Sequence, residues 1–344
     1  MRVALDAMGG DHAPAAEVEG AALAVREYGV EVILVGDEAL LKEELRRQGL
    51  QEMAGLTVQH ASQRVEMHEQ PSQVVRRKRD SSIWVGAELV KKGEAAAVIS
   101  AGNTGATVVT AFFLLGVLKG VERPAIATIL PTLTGHSILL DVGATVDCSA
   151  QQLIQFALMG HEYAQRALNK AHPTIGLLSI GEEDTKGNEV TKETFKRLKE
   201  SPLNFVGNVE GREIFAGAAD VVVCDGFIGN VALKITEGVA EALKKMLIKE
   251  IAAGSFLSRF GYALLRPVFG RYKRRMDYAE FGGAPLLGVN GICIISHGRS
   301  SGRAIKNAIR VAKEIFEGRV NEHIQHDIEE SVALYGAKDR ETER

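Results

Sequence analysis

The sequence predicts a three-layer α/β fold with a largely parallel sheet. Short, apolar, β-branched runs alternate with longer helical patterns along the whole chain. Most of those runs are continuously apolar, as in strands covered on both faces. Polar, glycine-rich turns follow most of them, which is the usual exit from a strand into a crossover helix. The 344 residues are 46% hydrophobic and 25% charged, the composition of a folded chain rather than a disordered one.

Taken in order, residues 2–5 read as the first strand, and 14–28 as a helix opened by a proline suited to its first turn. Residues 31–35 form the next strand, and 37–48 a helix with an acidic cap that stops at Gly49. Residues 95–118 carry no formal charge, but only 107–118 are densely apolar. A bilayer span takes ~20 residues, so this stretch reads as a strand (96–100), a glycine turn and a buried helix. Further strands are expected at 126–130, 137–140, 174–180, 221–224 and 291–296. Helices are expected at 149–169, 189–200, 231–250 and 302–317. Residues 1–335 are expected to form a single α/β catalytic unit, and 336–344 a frayed, charged tail.

Composition excludes several function classes. A net charge of −3 excludes a globally basic nucleic-acid binder. Cys148, Cys224 and Cys293 are odd in number and widely spaced, which excludes a disulfide scaffold and a CxxC metal motif and suits a reducing cytoplasm. No apolar secretory core follows Met1-Arg2. Residues 244–275 stand apart, with nine basic residues against the single acid Glu250. On a helical wheel Phe256, Phe260, Leu264 and Val268 share one side, next to Leu257, while Arg259, Arg266 and Lys273 take the other. Pro267 is expected to split the segment into two short helices. Residues 250–276 are therefore a basic, amphipathic protrusion. It either packs on the body or across a dimer seam, or lies on an anionic membrane surface.

GxGxxG, a Walker A loop, HExxH and zinc-spaced His/Cys clusters are absent. What remains is six polar turns: Asp6–His12, Ser100–Gly105, Asp141–Thr145, Gly181–Asn188, Asp225–Asn230 and Ser296–Gly302. In a parallel sheet such turns share one edge, and together they would offer backbone N–H groups at helix N-termini to an anion such as phosphate. The candidate phosphate or substrate ligands are Asp6, Gly9, Gly10, Gly102, Asn103, Thr104, Gly226 and Gly229. Lys186 offers a point charge, or is a solvated loop lysine paired with Glu182, Glu183 or Asp184. Asn230 begins a helix, where it is equally an ordinary cap. His297 and Arg299 either hold an anion or cap the next helix, and Cys148 has no histidine near it in sequence.

Taken together, Asp6-Ala-Met-Gly-Gly-Asp-His-Ala-Pro14, Ser100-Ala-Gly-Asn-Thr-Gly-Ala106, the segment from Gly176 to Glu189, Asp225-Gly-Phe-Ile-Gly-Asn-Val231 and Phe281-Gly-Gly-Ala-Pro-Leu-Leu-Gly-Val-Asn290 resemble the bacterial PlsX family of phosphate acyltransferases, across about residues 1–335. The resemblance implies a fold similar to the isocitrate/isopropylmalate dehydrogenase and phosphotransacetylase groups. It also implies transfer of a long fatty acyl group from acyl carrier protein to inorganic phosphate, giving acyl phosphate for a downstream membrane glycerol-3-phosphate acyltransferase. It implies a cytoplasmic, peripherally membrane-associated homodimer that uses no metal or other cofactor. The family's lysine and asparagine carry over to Lys186 and Asn230.

Phosphate is already an anionic nucleophile at neutral pH, and a thiolate leaves readily, so positioning and charge neutralisation matter more than a strong base. Lys186 is expected to hold phosphate, Asn230 and turn N–H groups to bind phosphate or the oxyanion, and His297 to orient or protonate. Arg271, Arg274 and Arg275 are expected to meet either the acidic carrier protein or the membrane. The rival readings are a coenzyme A-dependent enzyme for short acyl groups and a non-enzymatic lipid or carrier-protein binding module.

Overall fold

The computed structural model describes residues 1–275 and 278–342, apart from the side chains at 256, 258, 259, 272–279 and 332–342. The side chains of Phe256, Arg274 and Arg275 thus lie outside the described residues.

The N-terminal part alternates strand and helix: β1 (Arg2–Asp6), α1 (Ala15–Tyr28), β2 (Glu31–Gly36), α2 (Glu38–Arg47), β3 (Leu56–His60), α3 (Pro71–Arg77), α4 (Ser82–Lys91), β4 (Ala97–Ser100) and α5 (Thr104–Leu115). The antiparallel pair β5 (Ala125–Pro131) and β6 (His136–Leu140) comes next. It is followed by α6 (Ala150–Glu162) with a π-helical extension (Tyr163–Ala167), β7 (Ile175–Leu178), α7 (Glu189–Lys199), β8 (Phe205–Val209), α8 (Gly211–Ala216) and β9 (Val221–Val223). The chain ends with α9 (Gly226–Ala253), α10 (Phe256–Arg275), α11 (Tyr278–Phe281), β10 (Ala284–Leu287), β11 (Ile292–Ile295), α12 (Gly302–Glu317) and α13 (Val320–Thr342). Local chemistry sets many of these ends. Asp37 accepts from Ala39 N and Leu40 N to start α2, and Ser149 with Gln152 forms a capping box on α6. Gly29 takes the left-handed conformation that closes α1.

One eleven-stranded sheet results, ordered β3-β2-β1-β4-β11-β10-β5-β6-β9-β7-β8. Strand alternation builds the expected three layers. Val3, Leu5, Ile99, Leu140 and Val223 face the core under α1, α2, α6, α12 and α13. Their neighbours Ala4, Val98, Leu139 and Val222 face the core under α3, α4, α5 and α8. Seven of the ten strand pairings are parallel. The other three fall together at the centre, where β10 opposes both β11 and β5, and β5 opposes β6. The direction of β6, β9, β7 and β8 is therefore opposite to that of β1, β2, β3, β4 and β11.

Two expectations are corrected. The six turns do not share one sheet edge, because that reversal sends the turns after β1, β4 and β11 one way and those after β6, β7 and β9 the other. Pro267 does not split the basic segment: α10 runs through it, and the break falls at Gly254, whose backbone is extended. The α9–α10 hairpin stands off the body. Within α9 only Gly226 and Gly229 are buried, and 28 residues make it ~42 Å long.

Candidate active site

The turns after β1, β4 and β11 form the first group. Asp6 is buried there. Its carboxylate accepts from Ser100 Oγ at 2.7 Å and Met8 N at 3.2 Å, and Ser100 Oγ in turn accepts from Gly102 N at 3.1 Å. Gly9 and Gly102 pack backbone to backbone, so a β-carbon at Gly9 would fall 2.8 Å from Gly102 N. A β-carbon at Gly10 would collide with Glu17. Asn103 is the cap of α5: its Oδ1 accepts from Ala106 N, while its Nδ2 donates to the carbonyls of Met67 and Glu69. Thr104 is exposed at the first position of α5. Asp11 N donates to Gly298 O at 2.8 Å, joining the turn after β11 to the one after β1. His297 is exposed in that third turn, and its Nδ1 accepts from Arg299 N. Burial pushes the pKa of Asp6 up, and that of Glu17 up to about 8.

The second group is built on the adjacent strands β6, β9 and β7. Asp225 caps α9, accepting from Phe227 N and Ile228 N at 3.0 and 2.9 Å. Helix α9 therefore starts five residues earlier than expected, and Asn230 sits inside it on an exposed flank rather than capping it. Lys186 is exposed in the loop between β7 and α7, its stem folded over Gly181. Its acidic neighbours are engaged elsewhere, Asp184 with Lys199 and Glu182 with Arg212. Among the described residues, the Lys186 ammonium has no ion-pair partner and the Asn230 amide no hydrogen-bond partner.

The structure thus brings Lys186 and Asn230 to one edge and places His297 in the other group. The Lys245 side chain, with a smaller contribution from Arg299, holds the Glu241 carboxyl below its usual pKa range, and Glu241 lies ~17 Å along the helix from Asn230.

Most of the expected backbone donors are spent. Gly226 N donates to Thr145 O, Gly229 N to Asp225 O, Phe227 N and Ile228 N to the Asp225 carboxylate, and Gly102 N to Ser100. Gly226 and Gly229 serve instead as points of close approach. A β-carbon at Gly226 would fall 2.5 Å from Asp141 Oδ2, and one at Gly229 would collide with the Asp141 carbonyl. Cys148 is no thiolate nucleophile, since burial raises its pKa to about 12.

Sequence reasoning named the Asp141 turn without giving Asp141 its own role, and it overlooked one motif. Asp141 is the buried hub of the second group; its position immediately after an apolar strand was the available signal. Gly298-Arg-Ser-Ser-Gly302 spells G-x-S-x-G between β11 and α12. Ser300 is buried, however, and shares its hydroxyl with Ser296 Oγ at 2.8 Å, unlike the exposed serine of a nucleophile elbow.

The hairpin presents a large apolar surface. Leu257 is 78% and Leu264 66% exposed, with Phe260, Leu265 and Val268 beside them and Arg271 exposed further along α10. No described helix is long and apolar enough to cross a membrane. No cluster of three potential metal ligands occurs among the described residues.

The family model described as "Fatty acid synthesis protein" matches residues 1–323. A phosphate acyltransferase of Trichlorobacter lovleyi is 52% identical over 337 residues, covering 98% of this chain and 96% of that protein. Among solved structures, a phosphotransacetylase from Streptococcus pyogenes superposes with a TM-score of 0.61 at 19% identity, covering 92% of this chain and 94% of the other. A putative 4-hydroxythreonine-4-phosphate dehydrogenase from Salmonella typhimurium superposes with a TM-score of 0.50 at 14% identity, covering 92% of this chain and 100% of the other. The two structural likenesses show a shared fold, whereas half-identity along nearly the whole length shows kinship: this chain is an acyltransferase and belongs to the phosphate acyltransferase family of fatty acid synthesis proteins.

Proposed function

We propose that the protein transfers a long-chain acyl group from acyl carrier protein to inorganic phosphate, releasing acyl phosphate and the carrier's free thiol. The observation that carries this reading is the pairing of an uncommitted cation, Lys186, with an uncommitted amide, Asn230, at the ends of neighbouring strands. With the nearby N–H groups of α9 spent internally, these side chains are the donors an incoming phosphate meets.

In the proposed step, Lys186 binds phosphate as a point charge and keeps it beside the thioester. A phosphate oxygen attacks the carbonyl carbon, forming a C–O bond, and the carbonyl oxygen becomes an oxyanion. Asn230 Nδ2 donates to that oxyanion. Collapse breaks the C–S bond, and the thiolate takes a proton from water. His297, in the other group of turns, has no part in this step.

The same reading gives the hairpin a purpose. Its apolar face rests on an anionic membrane surface, where the product meets a membrane glycerol-3-phosphate acyltransferase, and Arg271 assists docking of the acidic carrier protein. A homodimer of the 1–335 unit completes the proposal. Lys186→Ala and Asn230→Ala test the chemistry. Each is expected to keep its melting temperature and lose ~100-fold or more in kcat/KM. Near-normal turnover in either folded variant contradicts the role assigned to that residue.

A further inference from the structure

Building on the catalytic reading of Asn230, we infer that Asp141 is the residue that positions it, acting through the Gly143–Thr145 turn and the first turn of α9. Asp141 is fully buried. Its Oδ1 accepts from Ile126 N at 2.8 Å and from Gly143 N and Ala144 N at 3.1 Å; its Oδ2 accepts from Ala144 N at 3.0 Å and Thr145 N at 2.7 Å. A carboxylate occupies the nest of N–H groups that an external anion would otherwise enter. The turn is thereby fixed from within and is not a ligand site.

Three contacts carry that rigidity to Asn230. Thr145 O accepts from Gly226 N at 2.8 Å, anchoring the start of α9. Gly226 and Gly229 lie so close to Asp141 that only hydrogen fits in place of a β-carbon. Gly143, in a positive-φ conformation, lies under the Asn230 side chain, where an added β-carbon would stand 3.4 Å from Nδ2. Asp141 touches no space that substrate can reach, so it acts through Asn230. Displacing its carboxylate would loosen the platform on which the amide is aimed.

The test is a double-mutant cycle of Asp141→Asn with Asn230→Ala, following kcat, KM for phosphate and melting temperature, with acyl-carrier protein as donor. The amide of Asp141→Asn sets an NH2 against N–H donors while keeping the volume. In the wild-type background it is expected to lower kcat ~10-fold with KM for phosphate within about twofold, because phosphate is held by Lys186. In the Asn230→Ala background it is expected to cost less than about twofold further, since residues acting through one another are not additive. Losses that multiply, or a loss seen only in melting temperature, overturn the inference. If Asp141→Asn does not fold, the same cycle is run with Gly143→Ala, which strains the positive-φ turn beneath Asn230 and leaves the Asp141 carboxylate in place. Additivity there overturns the inference as well. A silent Asn230→Ala contradicts the catalytic reading itself and removes the inference with it, an outcome distinct from additivity.

Discussion

Among the described residues, the Lys186 ammonium has no ion-pair partner and the Asn230 amide no hydrogen-bond partner, in contrast to the side chains that cap and brace the turns. Asp6, Ser100, Asn103, Asp141 and Asp225 each close hydrogen bonds to their own or neighbouring turns. One sequence could suggest all of these residues as ligands, because Asn and Asp after a strand serve equally as caps and as binding groups. Only the hydrogen-bond accounting separates the roles, and it depends on contacts 83 and 94 residues apart, Asp141 with Cys224 and Asp6 with Ser100. Glu17 gives a prediction of another kind. It is 1% exposed, neither carboxylate oxygen has a hydrogen-bond partner, and the like charge of the buried Asp6 acts in the same direction as burial. The folded protein holds the Glu17 proton to about pH 8, whereas the unfolded chain releases it near 4.5. Stability is therefore full below the unfolded value, falls as pH rises through the window, by at most about 1.4 kcal/mol per unit, and levels off above about 8. Glu17→Gln is expected to raise the melting temperature at pH 8 and change it little at pH 4.5. Equal shifts at both pH values contradict the buried-acid account.

Among the elements, most strands covered on both faces were legible and the outer ones were not. β3 and β8 are the outer strands of the sheet and mix exposed polar with apolar residues, as in Thr57, Gln59 and His60 of β3, so no apolar run announces them. β10 was missed because Pro285 argues against an interior strand. It is accommodated in the short antiparallel pairing that turns the sheet around. The basic segment was legible in composition but not in shape, since Gly254 rather than Pro267 makes the break. The hairpin bears a prediction at this scale. Leu257→Glu with Leu264→Glu, both exposed, is expected to abolish binding to anionic phospholipid vesicles with stability changed by no more than about 0.5 kcal/mol. Arg271→Glu is expected to weaken acyl-carrier protein binding, more at low salt than at high. Unchanged vesicle binding in the double variant contradicts the membrane role of α10.

The whole molecule divides by the direction of its strands. Periodicity predicts a covered parallel sheet but carries no sign, so it could not show that β6, β7 and β9 oppose β1, β4 and β11. That sign decides which residues meet. It places Lys186 with Asn230 and sends His297 to the other group. Family membership fixes a phosphate acyltransferase, and the proposed site would serve it with one cation, one amide and a turn rigid enough to aim them. The most direct test is a phosphate-dependent assay of the purified protein with palmitoyl-acyl carrier protein, without added metal or nucleotide. It follows the free carrier thiol and traps the product with hydroxylamine. Thiol release that requires phosphate and yields a hydroxamate is the expected result. No release from the carrier protein, with turnover of acetyl- or butyryl-coenzyme A instead, would contradict it and indicate a short-chain, coenzyme A-dependent enzyme.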